Sequence, residues 1–138
     1  MPAYLCCGGG EYRLRSLYYL NASVLIINFA IDAPRSLEKV EQHWIEEVKE
    51  LATHEDGWKP PIMLVGCKKE TRADIQQLKR MQELGIVPVT VEQGREMGNR
   101  IGAAIYLECS AKTGEGVDEV FQHAARLSLL CGDKFARQ

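Results

Sequence analysis

The chain has 138 residues, of which 46% are hydrophobic and 26% charged, a composition that fits one globular domain with a single core. Seventeen basic residues stand against nineteen acidic ones, so the formal net charge is -2 and no global field exists to recruit nucleic acid or an anionic membrane. The five cysteines, Cys6, Cys7, Cys67, Cys109 and Cys131, are odd in number and show no CxxC spacing, which points to free thiols in a reducing compartment rather than a disulfide framework or zinc site. No basic start followed by an apolar run marks a secretory leader, and the expected location is the cytoplasm. Asn21-Ala22-Ser23 fits the glycosylation pattern only by chance in that setting.

Residues 24–31 form a nearly continuous apolar, β-branched run, the pattern of a strand buried on both faces of a parallel sheet. Asp32-Ala33-Pro34 ends it. From Ser36, read as an N-cap, apolar residues recur at Leu37, Val40, Trp44, Ile45, Val48 and Leu51, which is helical periodicity. Asp56-Gly57 and Pro60-Pro61 punctuate, and residues 62–66 read as a second buried strand. The charged stretch 68–83, closed by Gly85, reads as one surface helix. Thr90 and Gln93 form a capping-box signature before a helix carrying Met97 and Ile101. Residues 104–109 are the third strand. After a loop at 110–116, Val117, Val120, Phe121, Ala124 and Leu127 mark a last amphipathic helix, expected to stop near Gly132. Strands alternating with helices imply right-handed crossovers and a doubly wound, mainly parallel α/β sheet.

Ligands of such sheets bind where loops leave the carboxyl ends of the strands. Two of these loops are unusual: Cys67-Lys68-Lys69-Glu70 after the second strand, and Ser110-Ala111-Lys112-Thr113-Gly114 after the third. The first is similar to the Asn/Thr-Lys-x-Asp motif of Ras-superfamily GTPases, and Glu108-Cys109 with the second reproduces their ECSAKTG motif. The segment 29–40, followed by Trp44, resembles the Rho branch, as does the extra helical segment between the two motifs. The resemblance covers nearly the whole chain, from about residue 11 to about residue 130. It makes residues 1–138 a single, incomplete small-GTPase domain with a Rho-type insert helix: a degenerate switch region at 1–12, a core at 24–130 and a tail at 131–138. The implied fold is a partial G-domain missing its N-terminal strands.

What the resemblance implies about chemistry is guanine reading. In the family an aspartate carboxylate accepts two hydrogen bonds from the base, a lysine stem covers one face, and an alanine N–H donates to the guanine oxygen. Cys67, Lys68, Glu70, Ser110, Ala111 and Lys112 occupy the corresponding positions, with Glu70 in place of the aspartate and Cys67 in place of Asn or Thr. The extra methylene of Glu70 alters the geometry of a bidentate charged bond. The phosphate half differs more. These 138 residues contain no GxxxxGK[ST] loop, the loop whose backbone N–H groups and lysine hold phosphates, nor the switch threonine that completes magnesium binding. Glu11-Tyr12 and Leu14-Arg15, with one deletion, place residues 5–9 over the DxxGQ motif. Leu5 then replaces the magnesium-associated aspartate, Gly9 replaces the glutamine that orients water, and only Gly8 fits.

The implied cofactors are GTP or GDP and magnesium, none held tightly, with no catalytic residue and no metal ligand assigned. The implied partners are Rho-type regulators or effectors. The chain ends Phe135-Ala136-Arg137-Gln138, without a Cys-a-a-X box for a prenyl anchor. The resulting expectation is a Rho-type molecular switch lacking its N-terminal segment, through a truncated gene model, alternative start or pseudogene, and unable to bind GTP tightly or hydrolyse it. The alternative is a non-enzymatic interaction module that binds Rho regulators through the insert or outer helices; a nucleotide-free flavodoxin-like domain is the third reading. With only three strands, the edge of the strand at 24–31 is expected to be exposed and to drive self-association unless residues around 4–12 fold over it.

Overall fold

The computed structural model describes residues 3–6, 19, 21–52, 55 and 57–135, with 3–6 and 132–135 described as backbone only. Four parallel strands make one sheet in the order β1-β2-β3-β4: β1 at Ala3–Cys6, β2 at Ala22–Ala30, β3 at Ile62–Cys67 and β4 at Ile105–Glu108. β2 is apolar at all but Ser23 and Asn28 because both its faces are covered. Leu25, Ile27 and Phe29, continued by Ile31, face one side and Val24 and Ile26 the other, and all six are 3% exposed or less.

On the first side, helical segments α1 (Pro34–Lys39), a π-helical turn (Val40–Trp44) and α2 (Ile45–Leu51) pack Leu37, Val40, Ile45 and Val48 onto the sheet, beside Met97 of α4 (Val91–Ile101). Tyr19 joins this core, and its hydroxyl donates to Glu47 Oε1 at 3.1 Å. On the second side, Val120 and Ala124 of α5 (Val117–Phe135) cover Val24, Ile26, Met63 and Val65. The result is the three-layer α/β arrangement that the alternating pattern implies.

Several expectations are corrected. Ala3–Cys6 lies parallel to β2, with Tyr4 opposite Val24, Leu5 opposite Leu25 and Cys6 opposite Ile26, so the sheet has four strands and part of the β2 edge is covered. Of the degenerate switch motif read from the sequence, Leu5 lies within this strand, and Gly8 and Gly9 lie outside the described residues. Ser36 is not the N-cap, which is Ala33 with Pro34 in the first turn. The Ser36 hydroxyl instead accepts the Ala30 N–H at 2.9 Å and ties the end of β2 to the start of α1. The stretch 68–83 is two elements, a 3-10 turn at Lys69–Ala73 and α3 at Ile75–Glu83, divided by Asp74, whose side chain caps α3 by accepting from the Gln77 N–H at 3.1 Å. α5 runs through Gly132 to Phe135 rather than stopping at the glycine. The capping box forms as read: the Thr90 N–H donates to Gln93 Oε1 and the Gln93 N–H to Thr90 Oγ1. No helix among the described residues is long and apolar enough to cross a membrane.

Candidate functional site

The parallel sheet sends three loops off the same edge, after Ala30, Cys67 and Glu108, and there the site residues meet. The β3 loop turns at once, because Lys68 has φ +62° and ψ 41°. It is the one non-glycine residue with positive φ among those described, and a side chain in the left-handed region costs free energy that the surrounding bonds must offset. Those bonds are visible. The Lys68 ammonium donates to Asp32 Oδ2 at 3.1 Å, the Gln77 side-chain amide donates to the same oxygen at 3.1 Å, and the Lys69 N–H donates to the Cys109 carbonyl at 3.1 Å. Asp32, at the end of the β2 run, therefore binds the β3 loop to α3.

The β4 loop is fixed through Ser110, which is fully buried. Its N–H donates to the Glu115 carbonyl at 2.9 Å, its carbonyl accepts from the Gly114 N–H at 2.8 Å, and its hydroxyl oxygen accepts from the Thr113 N–H at 3.1 Å. Gly114 and Gly116 close the loop at φ +81° and +76°. At Gly116 a Cβ would run into the Glu108 carbonyl, so the close return of the chain over β4 requires glycine there. Lys69 adds an exposed ion pair to Glu115 at 2.7 Å.

The loops are joined through Glu70. Hydrogen bonds from the Ser110 hydroxyl and from its own backbone N–H hold its carboxyl below the ordinary carboxylate range, against burial, with the Lys112 and Lys68 charges adding to the effect. Glu70 is thus ionised at neutral pH. Its Oε2 is buried and accepts no hydrogen bond, an orphaned acceptor at the meeting point of the two loops. Ala111 and Lys112 stand exposed in the turn beside it. Of the residues expected from the motifs, Lys68, Glu70, Ser110 and Lys112 converge. Cys67 packs half-buried against the core on the α5 side of the sheet.

Behind this group lies a polar network that motif reading did not single out. Arg72 binds both oxygens of Glu108, at 2.8 and 2.6 Å, and donates to the Val89 carbonyl through Nε and Nη2 at 3.1 and 2.7 Å. The Tyr106 hydroxyl donates to Glu108 Oε2 at 2.8 Å. Burial on its own would raise the Glu108 carboxyl, but the bonds from Arg72 and Tyr106 prevail and it lies below the ordinary range. Only the Glu108 position inside its motif could have signalled this, since Arg72 and Val89 are 17 residues apart and meet through the fold alone.

With this geometry the comparisons with known proteins agree. A family model described as "Ras family" matches residues 7–129. The chain is 44% identical over 118 residues to GTP-binding protein rho5 of Schizosaccharomyces pombe, covering 86% of this chain and 56% of that protein. It is 46% identical over 118 residues to GTP-binding protein RHO1 of Saccharomyces cerevisiae, covering 86% and 54%, and 43% identical over 122 residues to RHO1 of Candida albicans, covering 88% and 59%. The chain therefore spans little more than half the length of the curated relatives it matches. A family match over most of the chain, relatives named as Rho-type GTP-binding proteins and a parallel sheet with helices on both faces agree on one conclusion: the chain belongs to the Ras family of small GTPases, in its Rho branch.

Proposed function

We propose that the two loops form a guanine-reading edge, which binds the base of GDP or GTP weakly and, within these 138 residues, without hydrolysis. The observation that carries this is the convergence of Lys68, Glu70, Ser110 and Lys112 at one edge of the sheet, with the Glu70 carboxyl held below the ordinary carboxylate range by the Ser110 hydroxyl. The ring N–H and exocyclic amine of guanine present a donor pair to such a carboxylate that adenine does not. The Lys68 stem would cover one face of the base, and the backbone at Ala111, with Lys112 beside it, would meet the guanine oxygen.

The phosphate and magnesium contacts of a complete switch are outside this proposal, because the sequence holds no GxxxxGK[ST] loop or switch threonine. A few hydrogen bonds and one stacked face sum to about 4 kcal/mol, which corresponds to roughly millimolar affinity. Calorimetric titration with GDP and ADP, with and without magnesium, tests the proposal. Weak, guanine-selective, magnesium-independent binding is expected, with no phosphate release from GTP. Equal binding of ADP would overturn the base-reading role, and submicromolar, magnesium-dependent binding would reveal a phosphate site.

A second reading, an interaction module for Rho-type regulators or effectors, is favoured by a specific feature. Ile75 and Leu84, at the two ends of α3, and Val87 just beyond it are 69%, 74% and 73% exposed. Substituting all three with serine is expected to abolish regulator binding while leaving guanine selectivity intact, and the converse result would decide for the first reading.

A further inference from the structure

Two cysteines end the strands that carry the base-reading loops. Cys67 is the last residue of β3, and Cys109 follows the last residue of β4. The parallel ladder puts Gly66 opposite Glu108, and one step further the Cys109 N–H donates to the Gly66 carbonyl at 2.9 Å while its own carbonyl accepts from the Lys69 N–H at 3.1 Å. The register continued by one residue sets Cys109 beside Cys67, and the first of these bonds fits that pairing, while the second comes from Lys69 rather than Lys68 because the chain turns at Lys68. Both side chains lie on the same face of the sheet, packed against the cluster of Val24, Ile26, Met63, Val65, Val120 and Ala124. Both are half-buried and neither is in a disulfide. Neighbouring strands run about 4.8 Å apart, inside the Cα separation of roughly 4.4–6.8 Å that a disulfide spans.

We propose that Cys67 and Cys109 are a redox-modification site, a cross-strand dithiol that hydroperoxides oxidise to a disulfide, and that the disulfide reshapes the loops leaving the two strands. The thiolate of one cysteine attacks the peroxide, the O–O bond breaks, and a sulfenic acid forms with release of water or an alcohol. The second thiolate then attacks the sulfenic sulfur, the S–S bond forms and water leaves, so the two electrons lost by the thiols reduce one peroxide. Bridged cysteines have Cβ atoms about 3.8 Å apart, closer than free partners on adjacent strands, so the strand ends are drawn together. The adjustment falls on the first residues past each cysteine. Those residues are Lys68, held in the left-handed region, and Ser110, whose hydroxyl holds Glu70. The consequence for nucleotide rests on the guanine-reading proposal above.

The test uses the full chain with Cys6, Cys7 and Cys131 replaced by serine, so that only this pair remains. One equivalent of hydrogen peroxide is expected to abolish both titratable thiols, to yield a linked peptide containing Cys67 and Cys109 by mass spectrometry, and to leave the chain monomeric on a non-reducing gel. In Cys67→Ser or Cys109→Ser added to that background, oxidation is expected to stop at a sulfenic acid that dimedone traps. Survival of both thiols, or a disulfide between chains, would overturn the site. Amide exchange across residues 68–74 and 109–116 reads the loop change without nucleotide, and unchanged exchange in the oxidised chain would overturn the coupling to the loops. GDP affinity is expected to fall about tenfold on oxidation and to return with dithiothreitol. A reduced chain that binds no GDP would count against guanine reading alone, because the thiol and exchange measurements decide the redox site by themselves.

Discussion

The Arg72 guanidinium closes a two-bond fork on the Glu108 carboxylate, 2.8 and 2.6 Å, and by doing so locks the turn that carries Glu70 to the strand that feeds Ser110. The Glu108 side chain is 10% exposed and that of Arg72 26%, so the pair is largely out of water. Removing one partner of such a pair leaves a buried charge unpaired, at a cost of about 3 kcal/mol at the lower end of the range for fully buried pairs. Arg72→Ala is therefore expected to lower the urea midpoint without changing the denaturant slope and to reduce Tm by about 10 °C. Arg72→Lys is expected to fall between wild type and alanine, because an ammonium cannot reproduce the fork on Glu108 or the simultaneous bonds to the Val89 carbonyl.

The same network sets a pH dependence with two limbs. The folded Glu108 carboxyl lies below its unfolded value, so its contribution is fully present above the ordinary carboxylate range, roughly pH 4.5, and is lost as pH falls through the folded value. The Tyr106 hydroxyl is displaced the other way. Burial raises it first, followed by its hydrogen bond to Glu108 and the Glu108 charge. Its contribution is present below about pH 10 and is lost as pH rises toward the folded value. Stability curves of wild type and Tyr106→Phe are expected to converge above pH 10, and Glu108→Gln is expected to flatten the acid limb. Parallel curves at all pH values would show that neither group is linked to folding.

Gly94 and Tyr106 make a close pair in which the glycine is required by packing rather than by backbone angle. Gly94 is buried inside α4, and a Cβ there would fall within the Tyr106 ring, whose hydroxyl is tethered to Glu108. Helix propensity favours alanine over glycine by about 1 kcal/mol, whereas overpacking a tight contact costs about 1–3 kcal/mol. The tether keeps the ring from swinging away, so the clash decides the sign and Gly94→Ala is expected to destabilise by about 2 kcal/mol. In a Tyr106→Ala background the same substitution is expected to turn neutral or stabilising. The double-mutant cycle in chemical denaturation checks it.

How much of this was legible in the sequence follows from the range of the interactions. The β2 run declared itself because burial on both faces leaves no polar alternation, and the Thr90 and Gln93 cap because its partners are three residues apart. β1 did not, since four residues carry no periodicity and its strand character comes from the ladder to β2. The division of 68–83 was hidden for a similar reason. A 3-10 turn and an α-helix share a charged surface pattern, and only the Asp74 cap separates them. In the site, motif residues Lys68, Glu70 and Ser110 were readable, but Asp32 was not assigned a role, because its bond to Lys68 depends on strands β2 and β3 being neighbours. The Cys67 and Cys109 register likewise comes from the sheet and not from spacing.

Glu70 offers the sharpest test of what the base-reading edge can do. As glutamate, its carboxyl is held below the ordinary carboxylate range by the Ser110 hydroxyl, and its Oε2 is turned away from solvent. Aspartate withdraws the carboxylate by one methylene, toward the loop, which opens space for the base edge and lets both oxygens face its two donors. Discrimination by a charged, bidentate acceptor is large when the competing ligand leaves it unpaired, so the gain is expected to appear as selectivity more than as affinity. Glu70→Asp is expected to raise the preference for GDP over ADP by about tenfold, whereas Glu70→Ala is expected to abolish the preference. Ser110→Ala is expected to weaken GDP binding in both backgrounds, because the carboxylate then loses the bond that orients it. None of these variants supplies phosphate contacts or a positioned water, so GTP turnover is expected to remain at the buffer rate in all of them. Phosphate release above that rate from the aspartate variant would mean that a catalytic element exists within these residues, and a Glu70→Ala variant that still prefers GDP would move base recognition elsewhere.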